Sequence, residues 1–263
     1  MPVSWRSMNR HLPPWLRSMV ILSLWAAFPT ASDAASGQAE RIVVFTSELS
    51  APPYVMTDGV TFLSGIIKDL NDEAARRAGV VIDYRVFARG SLDSYLESGQ
   101  GHVACNMQPA WTEIADQLVW TEPMFADEDI YWRLADTPPL EKPEDLIGRS
   151  FATYDGYSHG DAVTAQVADG RTKRIDLYAS QTIFDALIRG RTDYVIFSRL
   201  RGEHLAKAPG YAGKIVTAGL TDSSYRNFCA ISARMPIPAE RYKAALDSIL
   251  HDGTLAEILK RYR

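Results

Sequence analysis

Two segments of the chain match at a fixed offset, and that match constrains the fold more than any other feature. YLESGQGHVACNM starts at Tyr95 and ALIRGRTDYVIFS starts at Ala186; Leu96, Gly99 and Val103 correspond to Leu187, Gly190 and Tyr194, each 91 residues further on. Both segments end a helix at a glycine and enter a buried strand three to four residues later. Each is the last part of a longer β-α-β-α-β run. In the first run, RIVVFTS (Arg41 to Ser47) is a strand and a helix follows an N-cap at Ser64, with Ile66, Ile67, Leu70 and Ala74 at helical spacing and Gly79 as its stop. VVIDYRVF alternates as a strand, SLDSYLESG is a short helix capped by Ser91, and HVACNM is the third strand. In the second run SFATYD, KRIDLYA and DYVIF are strands, SHGDAVTAQVADG is a helix that Ser158 begins, and SQTIFDALIRG is a helix capped by Ser180. A chain of this pattern folds as α/β, with mainly parallel sheets and helical crossovers.

A strand-like piece and a Pro-rich connection, EDIYWRLADTPPLEKPEDL, separate the runs, and YRNFCAISARMPIP after the second run is again strand-like. Two apolar-periodic helices end the chain, marked by Ala244, Leu246, Ile249 and Leu250 and then by Leu255, Ile258 and Leu259. The expected solution is two lobes. FCAISA returns to the first lobe's sheet, so that residues 38–127 plus 224–263 form lobe 1 and residues 128–223 form lobe 2. Two crossings between lobes make a hinge, with a cleft at the carboxyl ends of the strands.

The start of the chain has the layout of a secretory signal peptide: Arg6, Arg10 and Arg17, then an apolar run from Met19 to Phe28, then Ser32 and Ala34 at cleavage spacing. That run is shorter than the roughly 20 residues a bilayer span needs. Residues 1–34 are therefore expected to be removed, leaving an exported, periplasmic protein of 229 residues. Removing three Arg and one Asp from the totals of 28 and 32 leaves 25 basic against 31 acidic side chains, a formal charge of −6. That balance argues against nucleic acid or an anionic membrane surface as a partner. The two cysteines, Cys105 and Cys229, permit a disulfide in an oxidising compartment.

Strand ends facing the other lobe carry Glu48, Tyr54, Arg89, Asn106, Gln108, Trp111, Tyr157, Ser158 and Ser198. These are the candidate ligand-binding residues. The aromatics offer flat apolar faces with polar edges. Asn106, Gln108 and the serines offer neutral donors and acceptors. Arg89 supplies the one strong positive charge, unless it is engaged by Asp93 or Glu48. Gly156-Tyr157-Ser158-His159-Gly160 also fits G-x-S-x-G between a strand and a helix. A hydrolase would need Asp193 and His204 or His251 to complete a triad. His251 sits inside a helical apolar pattern, and a glycine-flanked turn accounts for the five residues more simply. The five histidines are scattered, without metal spacing, and His102 and His159 are expected to cap or to face solvent. No phosphate loop is present in the sequence, and neither a metal nor a cofactor is expected.

SAPPYVMTDGVTFLSGIIKDLNDEAARRAG, LESGQGHVACNM leading to LVWTEPMF, PEDLIGRSFATYDGYS, LIRGRTDY and the final DGTLAEILKRY together resemble the family 3 extracellular solute-binding proteins. These are the two-lobed periplasmic receptors that feed ABC importers of amino acids. The resemblance implies a monomer that closes on a small solute and presents it to a membrane ABC permease or a sensor protein. It implies an arginine after the third strand and an acid after the equivalent strand of the second lobe. In this chain the first place is Ile114 and the second is Ser198. Losing two charge-assisted bonds at about 1.5–3 kcal/mol each makes an ordinary α-amino acid a poor ligand. Glu113 and Arg199 are the charged neighbours of these places. The resemblance also makes the strands of Cys105 and Cys229 neighbours, which implies a disulfide; two buried small apolar residues are the alternative. Some relatives of this fold are cyclohexadienyl dehydratases, and for that reading Glu48 or Glu113 would supply the acid.

Overall fold

The computed structural model describes residues 39–262 apart from Leu49 and Gly59, and for Arg89, Ser180 and Gln181 the backbone alone. The expected leader, residues 1–34, lies outside the described residues. The first half runs β1 (Arg41–Ser47), β2 (Met56–Thr57), β3 (Phe62–Ser64), α1 (Ile66–Ala78), β4 (Val81–Phe87), α2 (Leu92–Ser98), β5 (Val103–Met107) and β6 (Leu118–Trp120). There follow β7 (Phe125–Leu134), β8 (Ser150–Tyr154), α3 (Asp161–Ala168), β9 (Lys173–Leu177), α4 (Ser180–Ile188), β10 (Tyr194–Ser198), α5 (Arg199–Ala206), β11 (Ile215–Ser232), α6 (Ala239–His251) and α7 (Thr254–Lys260).

The two βαβαβ runs form equivalent parallel units. β1 pairs with β4 and β5, and β8 pairs with β9 and β10, all in parallel. Leu96 and Leu187 are both buried, and Gly99 and Gly190 both take left-handed backbone at φ 75° and 62°. The 91-residue match therefore marks the same helix stop and the same third strand, β5 and β10, in each half. Both sheets are covered on two faces, as parallel sheets require. In the second half Ile130, Trp132, Val195 and Phe197 face the α4 side, while Tyr131, Phe151, Tyr194 and Ile196 face α3. In the first half Ile42, Val44 and Val103 pack with α1 and α6, whereas Phe45 and Ala104 face Leu96 of α2.

Two long strands join the halves. β7 and β11 run antiparallel from Ile215↔Leu134 to Asn227↔Phe125, and β11 continues to pair with β5 and β6. The hydrogen-bonded path is thus continuous, β4-β1-β5-β11-β7-β10-β8-β9 with β6 on β11. Instead of a short strand returning from a loop, a single strand of 18 residues serves both sheets. Cys229 lies in register with Cys105, and the two form a disulfide that closes a separation of 124 residues.

Three helix starts differ from the sequence expectation. Ser64 belongs to β3, and Gly65 is the N-cap of α1 at φ 123°. A Cβ at Gly65 would lie 2.5 Å from the Tyr54 carbonyl oxygen, so this crossing requires glycine. The free N–H groups of Ile66 and Ile67 go to the carbonyls of Pro53 and Tyr54, at 2.9 and 3.0 Å, so the turn does what a serine cap would have done. α3 begins at Asp161 with Gly160 as its cap, leaving Ser158 exposed on the preceding loop. α4 is capped at Ala179, one residue before Ser180.

Candidate functional site

A cavity of about 740 Å³ opens at the carboxyl ends of the parallel strands. Its first-half wall is the end of β1, the turn at Ser50 to Tyr54, the end of β5 and Trp111; its second-half wall is the Gly156–Gly160 loop and Arg201 at the start of α5. The floor is formed by the crossing strands, through Asp129 of β7 and Ser223 to Tyr225 of β11. Of the candidates, Tyr54, Asn106, Gln108, Trp111, Tyr157 and Ser158 line this cavity. Glu48 and Ser198 do not. Glu48 is exposed at the end of a turn, where its N–H bonds Phe87 O at 3.1 Å. Ser198 is buried beneath the wall, where its hydroxyl donates to the Asp127 carboxylate and accepts from Arg201 N at 3.2 Å. Arg89 lies on the turn before α2, and its side chain lies outside the described part.

The lining residues are held differently from one another. Tyr54 is nearly fully buried; its hydroxyl donates to Asp127, and burial, followed by the Asp127 charge, pushes its pKa up. Only its ring is left for a ligand. Trp111 is 53% exposed and meets Tyr225 edge-on at 5.8 Å between ring centres. Asn106 takes left-handed backbone at φ 61°, which Asn tolerates better than most residues, and its Oδ1 is buried without a hydrogen bond. Ile114, at the place the resemblance gave to an arginine, is absent from the cavity wall and packs instead against the Phe45, Leu96 and Met107 cluster.

Charges missed by the sequence reading stand on the crossing strands and beside them. Asp127, Asp129 and Asp222 are grouped at the floor with His159 and Arg201. Asp127 accepts from Glu128 N at 2.8 Å and Leu200 N at 3.3 Å, besides Tyr54 and Ser198. Asp222 accepts from Tyr131 Oη at 3.0 Å and from Gly160 N at 3.3 Å, and sits 3.2 Å from His159 Nδ1. His159, far from facing solvent, has a side chain only 2% exposed. His102 likewise turns inward, where its Nδ1 accepts from Val43 N at 2.7 Å and burial holds its pKa down. Arg201 is buried, donates to the Tyr154 hydroxyl, and lies 4.9 and 4.7 Å from the ring centres of Tyr154 and Phe197. Burial, then the charges of Asp127 and Asp222, push the Asp129 carboxyl up to about 6, against the pull of Arg201 and His159. The signal was legible in ADEDIY: aspartates two apart on a strand share one face.

The residues weighed for covalent chemistry are dispersed. Asp193 is engaged by Ser150 N and Oγ, both at 2.7 Å, and His251 lies 3.3 Å from Glu122. Glu113 and Glu48, the acids of the dehydratase reading, are exposed and absent from the cavity wall. Among the described residues no helix is long and apolar enough to cross a membrane.

No protein-family model and no curated protein matches the chain. Solved structures do. The GluR0 ligand-binding core in complex with L-glutamate superposes with a TM-score of 0.69 at 14% identity, over 86% of this chain and 99% of that one. An arginine-binding protein mutant from T. maritima gives 0.63 at 19% identity, over 84% and 94%. A histidine kinase sensor domain described as similar to periplasmic binding proteins gives 0.65 at 20% identity, over 85% and 96%. The chain has the two-lobed α/β fold of the periplasmic-binding-protein class. These similar structures are mainly of binding proteins, with a histidine kinase sensor domain among them.

Proposed function

We propose that this chain is an exported solute-binding protein, which captures a small solute in the cleft between its lobes and delivers it to a membrane ABC permease or a sensor. The observation that carries this reading is the cavity itself. At about 740 Å³ it lies within the roughly 300–1,000 Å³ typical of small-ligand sites, and both halves and both crossing strands contribute to its wall. The lobes are residues 38–127 with 224–263 and residues 128–223, and the crossing strands β7 and β11 act as the hinge. Capture is a population shift: the solute binds the closed form better and so draws the open form towards it. No covalent step is needed. The protein works as a monomer in the periplasm after loss of residues 1–34. The test is a thermal-shift screen of the purified protein against amino acids, amines, organic acids and aromatic metabolites, followed by small-angle scattering with any hit. A concentration-dependent rise in melting temperature with a smaller radius of gyration is expected. Turnover of prephenate or arogenate, or labelling of Ser158 by a fluorophosphonate, would replace this reading with an enzymatic one.

A further inference from the structure

Resting on that solute-binding reading, we propose that the cleft selects an organic cation, an amine without a carboxylate, whose charged nitrogen sits against Asp129 with the rings of Trp111 and Tyr225 beside it. The first observation is the state of Asp129. It is 8% exposed, lines the cavity, and has no cation within ion-pair distance among the described residues. Its one hydrogen-bond contact is long, 3.5 Å from the Tyr225 hydroxyl, which also lies 3.4 Å from Asp127. One hydroxyl proton cannot serve both carboxylates. A carboxylate so far out of water is costly unless a positive group meets it, and the open side of Asp129 is the cavity.

The local charge balance points the same way. Asp127 and Asp222 stand behind the floor, and among the described residues the permanent cation beside these two carboxylates and Asp129 is Arg201. The Arg201 guanidinium lies against the Tyr154 and Phe197 rings and donates to the Tyr154 hydroxyl. A solute carboxylate entering here meets a net negative floor, whereas an ammonium is drawn to it. The second, independent observation is Trp111. Its indole is large, half in solvent, on the cavity wall and beside Tyr225. Aromatic faces next to a carboxylate are the surroundings in which an ammonium gains both a counter-charge and cation–π attraction.

The experiment is isothermal titration calorimetry at pH 8 with putrescine, phenethylamine and glutamate, on the parent protein and on Asp129→Asn and Trp111→Ala. The expected result is that at least one of the two amines binds and glutamate does not. Asp129→Asn is then expected to weaken the amine at least tenfold, and Trp111→Ala severalfold. Trp111 is exposed enough that its variant keeps the fold, so the inference stays open to refutation even if the Asp129 variant misbehaves. Glutamate binding without amine binding overturns the inference and leaves the solute-binding reading standing. Equal amine affinity in the parent and Asp129→Asn also overturns it. Absence of binding by all three probes overturns the inference; the solute-binding reading itself falls only if the wider thermal-shift screen is also empty.

Discussion

Replacing Asp129 by Asn should make the empty protein more stable, which is the opposite of what removing a buried charged group usually does. Asp129 is almost enclosed, and burial, then Asp127, then Asp222 lift its carboxyl from the usual 3.8 to about 6. At about 1.4 kcal/mol per pH unit, that lift of roughly two units makes its ionisation in the folded protein cost about 3 kcal/mol. A carboxyl raised above its unfolded value binds its proton more tightly in the folded state. The contribution of Asp129 to folding stability is therefore greatest below about pH 4, falls as the pH rises towards about 6, and stays lower above it. The groups facing Asp129 are Asp127 on its own strand, Asp222 and Tyr225 on β11, His159 on the loop after β8, and Arg201 on α5. Asn keeps the shape and removes the titration. At pH 8 the variant should gain up to about 3 kcal/mol, or about 6–12 °C in melting temperature for a protein of this size. At pH 4 the gain should vanish. The assay is calorimetric melting of ligand-free parent and variant from pH 4 to pH 8. A variant less stable than the parent at pH 8 refutes the reasoning, because it means that the Asp129 charge already has a partner; a gain that does not change with pH refutes it as well, because the gain then does not come from the ionisation of Asp129.

If an amine is held by the ionised Asp129, its affinity should fall by roughly tenfold per pH unit below about pH 6, as titration calorimetry between pH 5 and pH 8 would reveal. Reducing the Cys105–Cys229 disulfide releases a loop of 124 residues and should cost about 4–5 kcal/mol by chain entropy; urea melts with and without dithiothreitol measure it. Asn106→Ala puts a Cβ-bearing residue of poor left-handed tolerance at φ 61° and should lower stability by about 1 kcal/mol, while Asn106→Gly should not; paired melting curves test the contrast. Ser198→Asp places another carboxylate beside Asp127 and should destabilise by several kcal/mol, much of it recovered by adding Asp129→Asn; a double-mutant melting cycle that proves additive would contradict this.

The frame of the molecule was readable because it rests on periodicity. The 91-residue match between Leu96, Gly99, Val103 and Leu187, Gly190, Tyr194 marks two helix stops that chemistry makes alike, since both glycines must take positive φ. The cleft aromatics were readable because strand ends can be counted. Helix starts were read less well. Ser64, Ser158 and Ser180 each look like caps, yet the first turns of α1 and α3 follow Gly65 and Gly160. The carbonyls that receive the α1 N–H groups come from the APPY turn, which no local pattern announces. The gathering of the buried charges from distant parts of the chain was least legible. Asp222 and Asp129 are 93 positions apart and come near each other only because β11 and β7 pair across the whole width of the molecule.

That pairing also resolves the matter of the missing acid. A linear comparison puts Ser198 where an acidic residue was expected, and the cleft then looks stripped of its charge. In the ladder, however, Ser198 of β10 sits directly opposite Asp129 of β7. A carboxylate thus stands one strand to the side, at a position 69 residues earlier in the chain and a single register partner away in space. At the arginine place Ile114 fills a hydrophobic cluster, and among the described residues the cavity wall carries no arginine or lysine besides Arg201. Among the described residues the cleft thus carries Asp129 on its floor and, as its permanent cation, a guanidinium stacked on tyrosine and phenylalanine rings. On the proposal of a cationic solute, such asymmetry selects by sign of charge. Because Asp129 lies on a strand that joins the two halves, a cation seated against it would bear on the same element that sets how the halves meet.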